Sequence, residues 1–185
     1  MALTEEERSL ALRLARAAIA DQFCRQGDAD EAIQKTPPGE ALNARLGLFV
    51  TLHEAGELRG CIGNFRSEKP LYENIKDMAR AAAFKDPRFA PVQPHELPKI
   101  HIEISVLSPL REISDIEEIT VGRHGIYIQK GNSRGVLLPQ VAVENGFDRE
   151  TFLDHTCVKA GLLPGCWRRG VSISVFEAEI FSEAK

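Results

Sequence analysis

The sequence has no surplus of positive charge. Its 185 residues carry 23 Lys and Arg against 27 Asp and Glu, a formal net charge of -4 with a pI near 5.8. A mildly acidic chain gains no general attraction to phosphate backbones or anionic lipid. Aromatics are sparse at 6%, with one Trp and two Tyr, which removes the stacking surface that single-stranded nucleic acid uses. The only tight basic cluster beside an aromatic, Trp167-Arg168-Arg169, is too small for a nucleic-acid footprint. No apolar run approaches the ~18 residues of a membrane span. The first twenty residues have an acidic lead, and Arg13 and Arg16 break their apolar positions. They do not read as a secretory leader, so the cytoplasm is the expected compartment. There the four cysteines, Cys24, Cys61, Cys157 and Cys166, are expected to be reduced. None of their spacings resembles a zinc pair. Phosphate-binding G-x-x-x-x-G-K-[ST], dinucleotide G-x-G-x-x-G, H-E-x-x-H, G-x-S-x-G and radical-cluster C-x3-C-x2-C are all missing, so the chemistries they serve have no support. No cofactor and no metal site are expected.

What is present suits one domain, or two small lobes sharing a core: 43% of residues are apolar and 27% are charged and well mixed. Thr4-Glu5-Glu6-Glu7 reads as a capping box. Leu12, Ala15, Ile19 and Phe23 recur behind it, beside Leu10 and Leu14, so a helix is expected from about Glu5 to Gln26 with Gly27 as its stop. Asp28 to Arg45, with Pro37, Pro38 and Gly39, reads as a loop with at most a short turn. Residues 47–52 and 58–63 read as a strand pair across a turn, 70–84 as a helix, 86–98 as a proline-punctuated loop, and 100–106 as a strictly alternating, half-buried strand. The order then recurs. Residues 125–130 and 134–138 form a second strand pair, one or two helices span Val141 to Ala160, and 170–176 alternate again.

The segment from Gly47 to Gly63 matches that from Gly125 to Pro139. Both start at glycine, run up a strand, turn and return through Arg-Gly, so that Arg59-Gly60 aligns with Arg134-Gly135. We read an internal duplication of a β-β-α-β unit, repeat one about 47–108 and repeat two about 125–181. The expected fold is α+β, with the two units sharing one mixed, mostly antiparallel sheet flanked by helices, in two lobes within a single 1–185 domain.

Four places hold residues capable of chemistry. In Leu58-Arg59-Gly60-Cys61-Ile62-Gly63 a thiol lies between glycines, and Arg59 is near enough to favour a thiolate or to hold a carboxylate or phosphate. The alternative is that Cys61 is a small buried hydrophobe. Its counterpart in the second repeat is Val136, which keeps that alternative open. Lys85-Asp86-Pro87-Arg88-Phe89 is a well-specified turn, in which Asp86 can cap or pair with Arg88. His101-Ile102-Glu103 places an imidazole and a carboxylate on one face of a strand, either as a base with its partner or as two solvent-facing residues. Asp154 and His155 are neighbours about 100° apart on a helix and do not form a ready dyad; Cys157 and Cys166 read as core residues.

Four segments in order carry a resemblance. They are Phe49 to Leu52 leading to Leu58–Gly63; Asp86-Pro87-Arg88-Phe89 with Pro91-Val92; Gly125-Ile126 leading to Leu137-Leu138-Pro139-Gln140-Val141-Ala142; and Phe152-Leu153 leading to Lys159–Leu162 and Trp167. Together they resemble the AMMECR domain family over roughly Leu10 to Phe181, with Leu58–Gly63 as the hallmark. The resemblance implies a two-lobed α/β fold with a cleft near the hallmark. It also implies a pathway shared with a Memo-like protein and a radical S-adenosylmethionine enzyme, the family's bacterial members being known as protein A of the AmmeMemoRadiSam system.

The functional expectation is an enzyme, or the catalytic accessory of one, with Cys61 as nucleophile and His101 and Glu103 as the proton-transfer pair. Arg59, Gly60, Ile62, Gly63, Asp86, Arg88 and Gln140 are the ligand-binding candidates, and a small anion held by Arg59 or Arg88 is the expected ligand type. The alternative is a non-catalytic adaptor for the same partners or their substrate. Neither nucleic acid nor membrane is an expected partner.

Overall fold

A computed structural model describes residues 3–24 and 38–184. The expected end of the first helix at Gln26 and Gly27, and the loop from Asp28 to Pro37, lie outside the described residues. The chain divides into two compact units: residues 1–106 with 179–185, and residues 107–178.

In the first unit, helix α1 (Glu5–Cys24) starts at the capping box read from the sequence. The Thr4 N–H donates to Glu7 Oε2 at 3.0 Å, and the Glu7 N–H donates to Thr4 Oγ1 at 3.2 Å, satisfying two donors that the helix start would otherwise leave unpaired. A one-turn helix α2 (Glu40–Asn43) precedes a hairpin of β1 (Leu48–Glu54) and β2 (Glu57–Asn64). Its two-residue turn puts Ala55 and Gly56 at φ 52° and 85°, the left-handed geometry that tight hairpins require. Helix α3 (Leu71–Phe84) and β3 (Ile100–Leu107) complete the unit. Leu48, Val50 and Leu52 of β1 and Ile100, Ile102, Ile104 and Val106 of β3 point to one side of the sheet, where Leu10, Leu14, Ile19, Ile75 and Ala79 of the helices bury them.

The second unit repeats the order. Strands β5 (His124–Lys130) and β6 (Ser133–Leu137), helices α4 (Pro139–Glu144) and α5 (Arg149–Lys159), and β7 (Ser172–Ser182) surround Ile126, Ile128, Phe152, Leu153 and Val175. A short β4 (Arg111–Ile113) pairs with β7. Its three residues are too few for a periodicity to announce it. Strand β7 also runs six residues beyond the alternation that marks it in the sequence. Glu177 and Glu179 break the pattern, but Arg123 Nε donates to Glu177 at 3.0 Å and Arg8 Nε to Glu179 at 2.9 Å, so the acidic positions are paired on the strand. Residues 179–182 of β7 belong with β3 in the first unit, and the strand order is β2-β1-β3-β7-β5-β6. The β1–β2, β1–β3, β4–β7, β5–β6 and β5–β7 pairings are antiparallel, which makes the fold α+β.

The two units correspond around the shared glycine. Leu52 faces Gly60 on one side and Ile102 on the other; Ile128 faces Gly135 and Ile173 in the same way. A methyl group on Gly60 would drive into the Ala82 carbonyl oxygen of α3. One on Gly135 would drive into the Thr156 carbonyl oxygen of α5. In each unit the shared glycine is therefore where the crossing helix lays its backbone against the second hairpin strand.

Candidate functional site

Strand β2 ends the strand order, so among the described residues one side of its backbone has no neighbouring strand. An edge of this kind needs either solvent or a cap. At Cys61 it has a cap built by the Asp86-Pro87-Arg88 turn. The Cys61 N–H donates to Asp86 Oδ2 at 2.9 Å, and Arg88 Nη2 donates to the Cys61 carbonyl at 3.3 Å. Arg88 also grips the same carboxylate, Nε to Oδ1 at 2.9 Å and Nη2 to Oδ2 at 2.7 Å, while its own backbone N–H donates to Oδ1 at 3.1 Å. The carboxylate is 4% exposed and has donors on both oxygens. Arg88, and then the Cys61 and Arg88 backbone donors, hold the Asp86 carboxyl far below the usual carboxylate range, against the opposing pull of desolvation.

One residue earlier the ladder slips. Leu52 faces Gly60 and His53 faces Leu58, so Arg59 is the extra residue of a bulge. It turns to Glu96 and donates to both carboxylate oxygens, at 2.8 and 3.2 Å, with both side chains largely buried. This bond, foremost, lowers the Glu96 pKa. The second unit has no slip here: Gln129 faces Arg134 directly and Arg134 is exposed. The glycine is thus the structural part of the shared Arg-Gly, and the arginine is not. Both arginines expected to hold an anion, Arg59 and Arg88, are bound to carboxylates of the protein.

Cys61 is half-buried and, among the described residues, is the free cysteine. It lies on the sheet face opposite the helices, beside Thr51 of β1, with Glu103 of β3 one strand further. Thr51 Oγ1 lies 3.3 Å from the sulfur. The row Cys61–Thr51–Glu103 carries a thiol, a hydroxyl and a carboxylate in register. Glu103 is half-buried and its side chain makes no hydrogen bond or ion pair with any described residue. His101, on the same face, is committed elsewhere: its Nε2 meets the Glu183 carbonyl at 2.6 Å, a contact in which nitrogen must donate. His101 and Glu103 therefore share a face, as the alternation requires, but do not pair with each other.

The other candidates are placed as follows. Gly60 and Ile62 point to the helix side, Gly60 under Ala82 and Ile62 against the core. Gly63 is on the thiol face but lies beneath the Phe49 ring, which itself packs edge-on against Phe65 at 5.1 Å. The two glycines make room for packing and do not bare the thiol. Gln140 belongs to the second unit, where its Oε1 is buried without a hydrogen-bond partner. Sequence reasoning missed Thr51. The two-residue turn at Ala55-Gly56 and the alternation of β1 fix it opposite Cys61, but only once the bulge at Arg59 is counted.

The expectation of four reduced cysteines is corrected. Cys157 of α5 and Cys166 form a disulfide. The bond closes a short loop whose other ties are Asp154, which accepts from the Gly165 N–H at 2.6 Å and from Trp167 Nε1 at 2.7 Å. His155 stacks on Phe147 at 4.3 Å. Asp154 and His155 thus hold structure in separate directions. Among the described residues no three His, Cys, Asp or Glu side chains gather as metal ligands, and no helix is long and apolar enough to cross a membrane.

The chain is similar to known proteins over nearly its whole length. A protein of Methanopyrus kandleri, MK0488, is 43% identical over 191 residues, covering 98% of this chain and 90% of the relative. One of Thermococcus gammatolerans is 44% identical over 183 residues, covering 93% and 88%. The crystal structure of the uncharacterized protein PH0010 from Pyrococcus horikoshii is similar at 39% identity with a TM-score of 0.85, covering 98% of this chain and 93% of that one. The AMMECR1 family model matches residues 12–181, a span that includes the edge strand, its aspartate-arginine cap and both repeats. The resemblance carried by Leu58–Gly63 and its three companion segments is thereby established, and the chain belongs to the AMMECR1 family.

Proposed function

We propose that this chain is an enzyme, or the catalytic accessory of one, whose reacting group is the Cys61 thiol. The observation that carries the reading is the hold on that residue. The Thr51 hydroxyl lies 3.3 Å from its sulfur, and Asp86 and Arg88 fix its N–H and carbonyl. A nucleophile held from backbone and side chain spends little freedom on reaching its reacting geometry. The comparison between repeats supports this. The second unit keeps the same register but has Val136 opposite Tyr127, so the fold needs an apolar side chain there and no thiol. Thr51 donates to the sulfur. Glu103, one strand beyond Thr51 in the same row, is placed to exchange a proton with a substrate lying over the row and not with the thiol directly. His101 serves the Glu183 carbonyl and is not part of the pair.

The site works in the cytoplasm, alongside the Memo-like protein and the radical S-adenosylmethionine enzyme that family resemblance suggests as partners. Intracellular disulfides such as Cys157–Cys166 have precedent in hyperthermophilic archaea. The test is an untargeted metabolite comparison between a wild-type strain and one carrying Cys61→Val, the residue that the second repeat accepts. The reading expects a substrate to accumulate while the variant protein persists at wild-type level. Identical metabolite profiles would refute it.

A second reading rests on a specific observation. Arg59 and Arg88 are both paired with carboxylates of the protein, so neither guanidinium is wholly free to position a charged substrate. An adaptor that docks the two partner proteins without chemistry of its own fits that economy. Capture of the partners by tagged wild type and by Cys61→Val alike, with unchanged metabolites, selects the adaptor.

A further inference from the structure

The second unit contains a hollow of about 420 Å³ that the reading above does not use. It is walled by the end of β5 and the loop that follows α5. Lys130, Arg168 and Arg169 stand around it, Leu162 and Leu163 supply apolar surface, and Cys166 of the disulfide forms part of the wall. No carboxylate lines it, in a chain with four more acidic than basic residues. Two of the three cationic side chains, those of Lys130 and Arg169, make no hydrogen bond or ion pair with any described residue. Arg168 pairs with Glu150 at 2.8 Å, an exposed contact, and its guanidinium lies 4.0 Å over the Trp167 ring. Leu163 is 82% exposed and offers its side chain to whatever enters the hollow.

The walls are held in place. The Cys157–Cys166 bond ties the loop to α5, and Asp154 bonds both the Gly165 N–H and Trp167 Nε1. A volume of this size lies within the range of small-molecule sites, which combine apolar lining with a few placed polar groups. The polar groups here are all of one sign. Arg59 and Arg88 are already bound to carboxylates, so Lys130 and Arg169 are the better cations for an anion.

We propose that this hollow is a binding site for a small organic anion, a carboxylate or phosphate monoester carried on a short apolar chain. The anionic head meets Lys130 and Arg169, and the chain lies on Leu162 and Leu163. The site is distinct in sequence from the Cys61 row and does not depend on the thiol reading.

Trp167 is the single tryptophan of the chain and sits beneath Arg168, so its fluorescence reports on the site. The oxidised full chain is titrated with hexanoate and with hexyl phosphate, then with hexanol and with acetate. The expected result is a saturable change in Trp167 emission with either amphiphilic anion, and a far weaker response to the neutral alcohol or the short anion. A preference between the two anions identifies the head group. The double variant Lys130→Ala/Arg169→Ala, whose changes are confined to exposed side chains, is expected to bind roughly tenfold more weakly, the size that two exposed charge contacts supply. Arg45→Ala, an exposed arginine of the first unit, serves as the control and is expected to bind as wild type. Absence of saturation with both anions, equal binding of hexanol, or unchanged affinity in the double variant would each overturn the proposal. Because no step uses Cys61, Cys61→Val is expected to bind normally, which separates failure of this site from failure of the thiol.

Discussion

Asp86 completes the hydrogen bonding of Cys61 across 25 residues of sequence, its Oδ2 accepting the Cys61 N–H at 2.9 Å where a neighbouring strand would otherwise supply a carbonyl. Arg88 performs the converse role, donating to the Cys61 carbonyl and to the same carboxylate. Two side chains thus stand in for an absent strand. They protect the edge of the sheet at the residue that carries the thiol.

Replacing that carboxylate tests its contribution. Asp86→Asn keeps the shape but loses the charge that both Arg88 and the Cys61 N–H address. The expected loss of stability is about 2 kcal/mol, the size of a hydrogen bond to a charged partner. Urea unfolding of wild type and variant measures it, and superimposable curves would show the cap to be ornamental.

The same pair sets a dependence on acid. Arg88 holds the folded Asp86 carboxyl below its ordinary range, so below about pH 4 the unfolded chain takes up a proton that the folded chain refuses. The contribution is therefore complete above that pH and drains away as the pH falls further. Unfolding free energies between pH 7 and pH 2 are expected to fall less steeply in Asp86→Asn than in wild type. Equal slopes would contradict the assignment.

Gly60 and Gly135 are predicted to be equivalent. An added methyl group at either meets a helix carbonyl, Ala82 or Thr156, and the backbone must shift to admit it. Gly60→Ala and Gly135→Ala are each expected to cost about 1–3 kcal/mol, the usual range for overpacking. Thermal unfolding of the two single variants measures this, and a neutral result at one site alone would break the structural equivalence of the repeats.

The disulfide makes a prediction about the loop that it closes. Proteolytic mapping without reductant is expected to recover the Cys157 and Cys166 peptides joined and the Cys61 peptide alone. Cys166→Ala is expected to lose about 2–3 kcal/mol, in line with a short closed loop. Unlinked peptides from carefully oxidised protein would remove the bond from the account.

Much of the fold was legible because it is written in local pattern. The alternation of residues 100–106, the capping box at Thr4 and the glycine shared by the hairpins all survive in three dimensions. What was not legible depends on distance or on small departures from regularity. No local signal says that Asp86 will reach Cys61, or that Arg59 will bulge out to Glu96 while Arg134 stays in register. The glycines on either side of Cys61 serve packing, Gly60 lying under a helix carbonyl and Gly63 under the Phe49 ring, which no local pattern announces. The cysteine pair was misread because the expected compartment argued for thiols, whereas the α5 turn and the bend at Gly165, which bring Cys157 to Cys166, belong to tertiary structure.

The most direct test of the central claim is the alkylation rate of Cys61 near neutral pH, read by peptide mapping in native protein, in urea-unfolded protein and in Thr51→Val. The account predicts that native Cys61 reacts several-fold faster than the same thiol in the unfolded chain, and that Thr51→Val removes most of the difference by deleting the donor at 3.3 Å. A native rate equal to or below that of the unfolded thiol would contradict it and leave Cys61 as a packing residue of the edge strand.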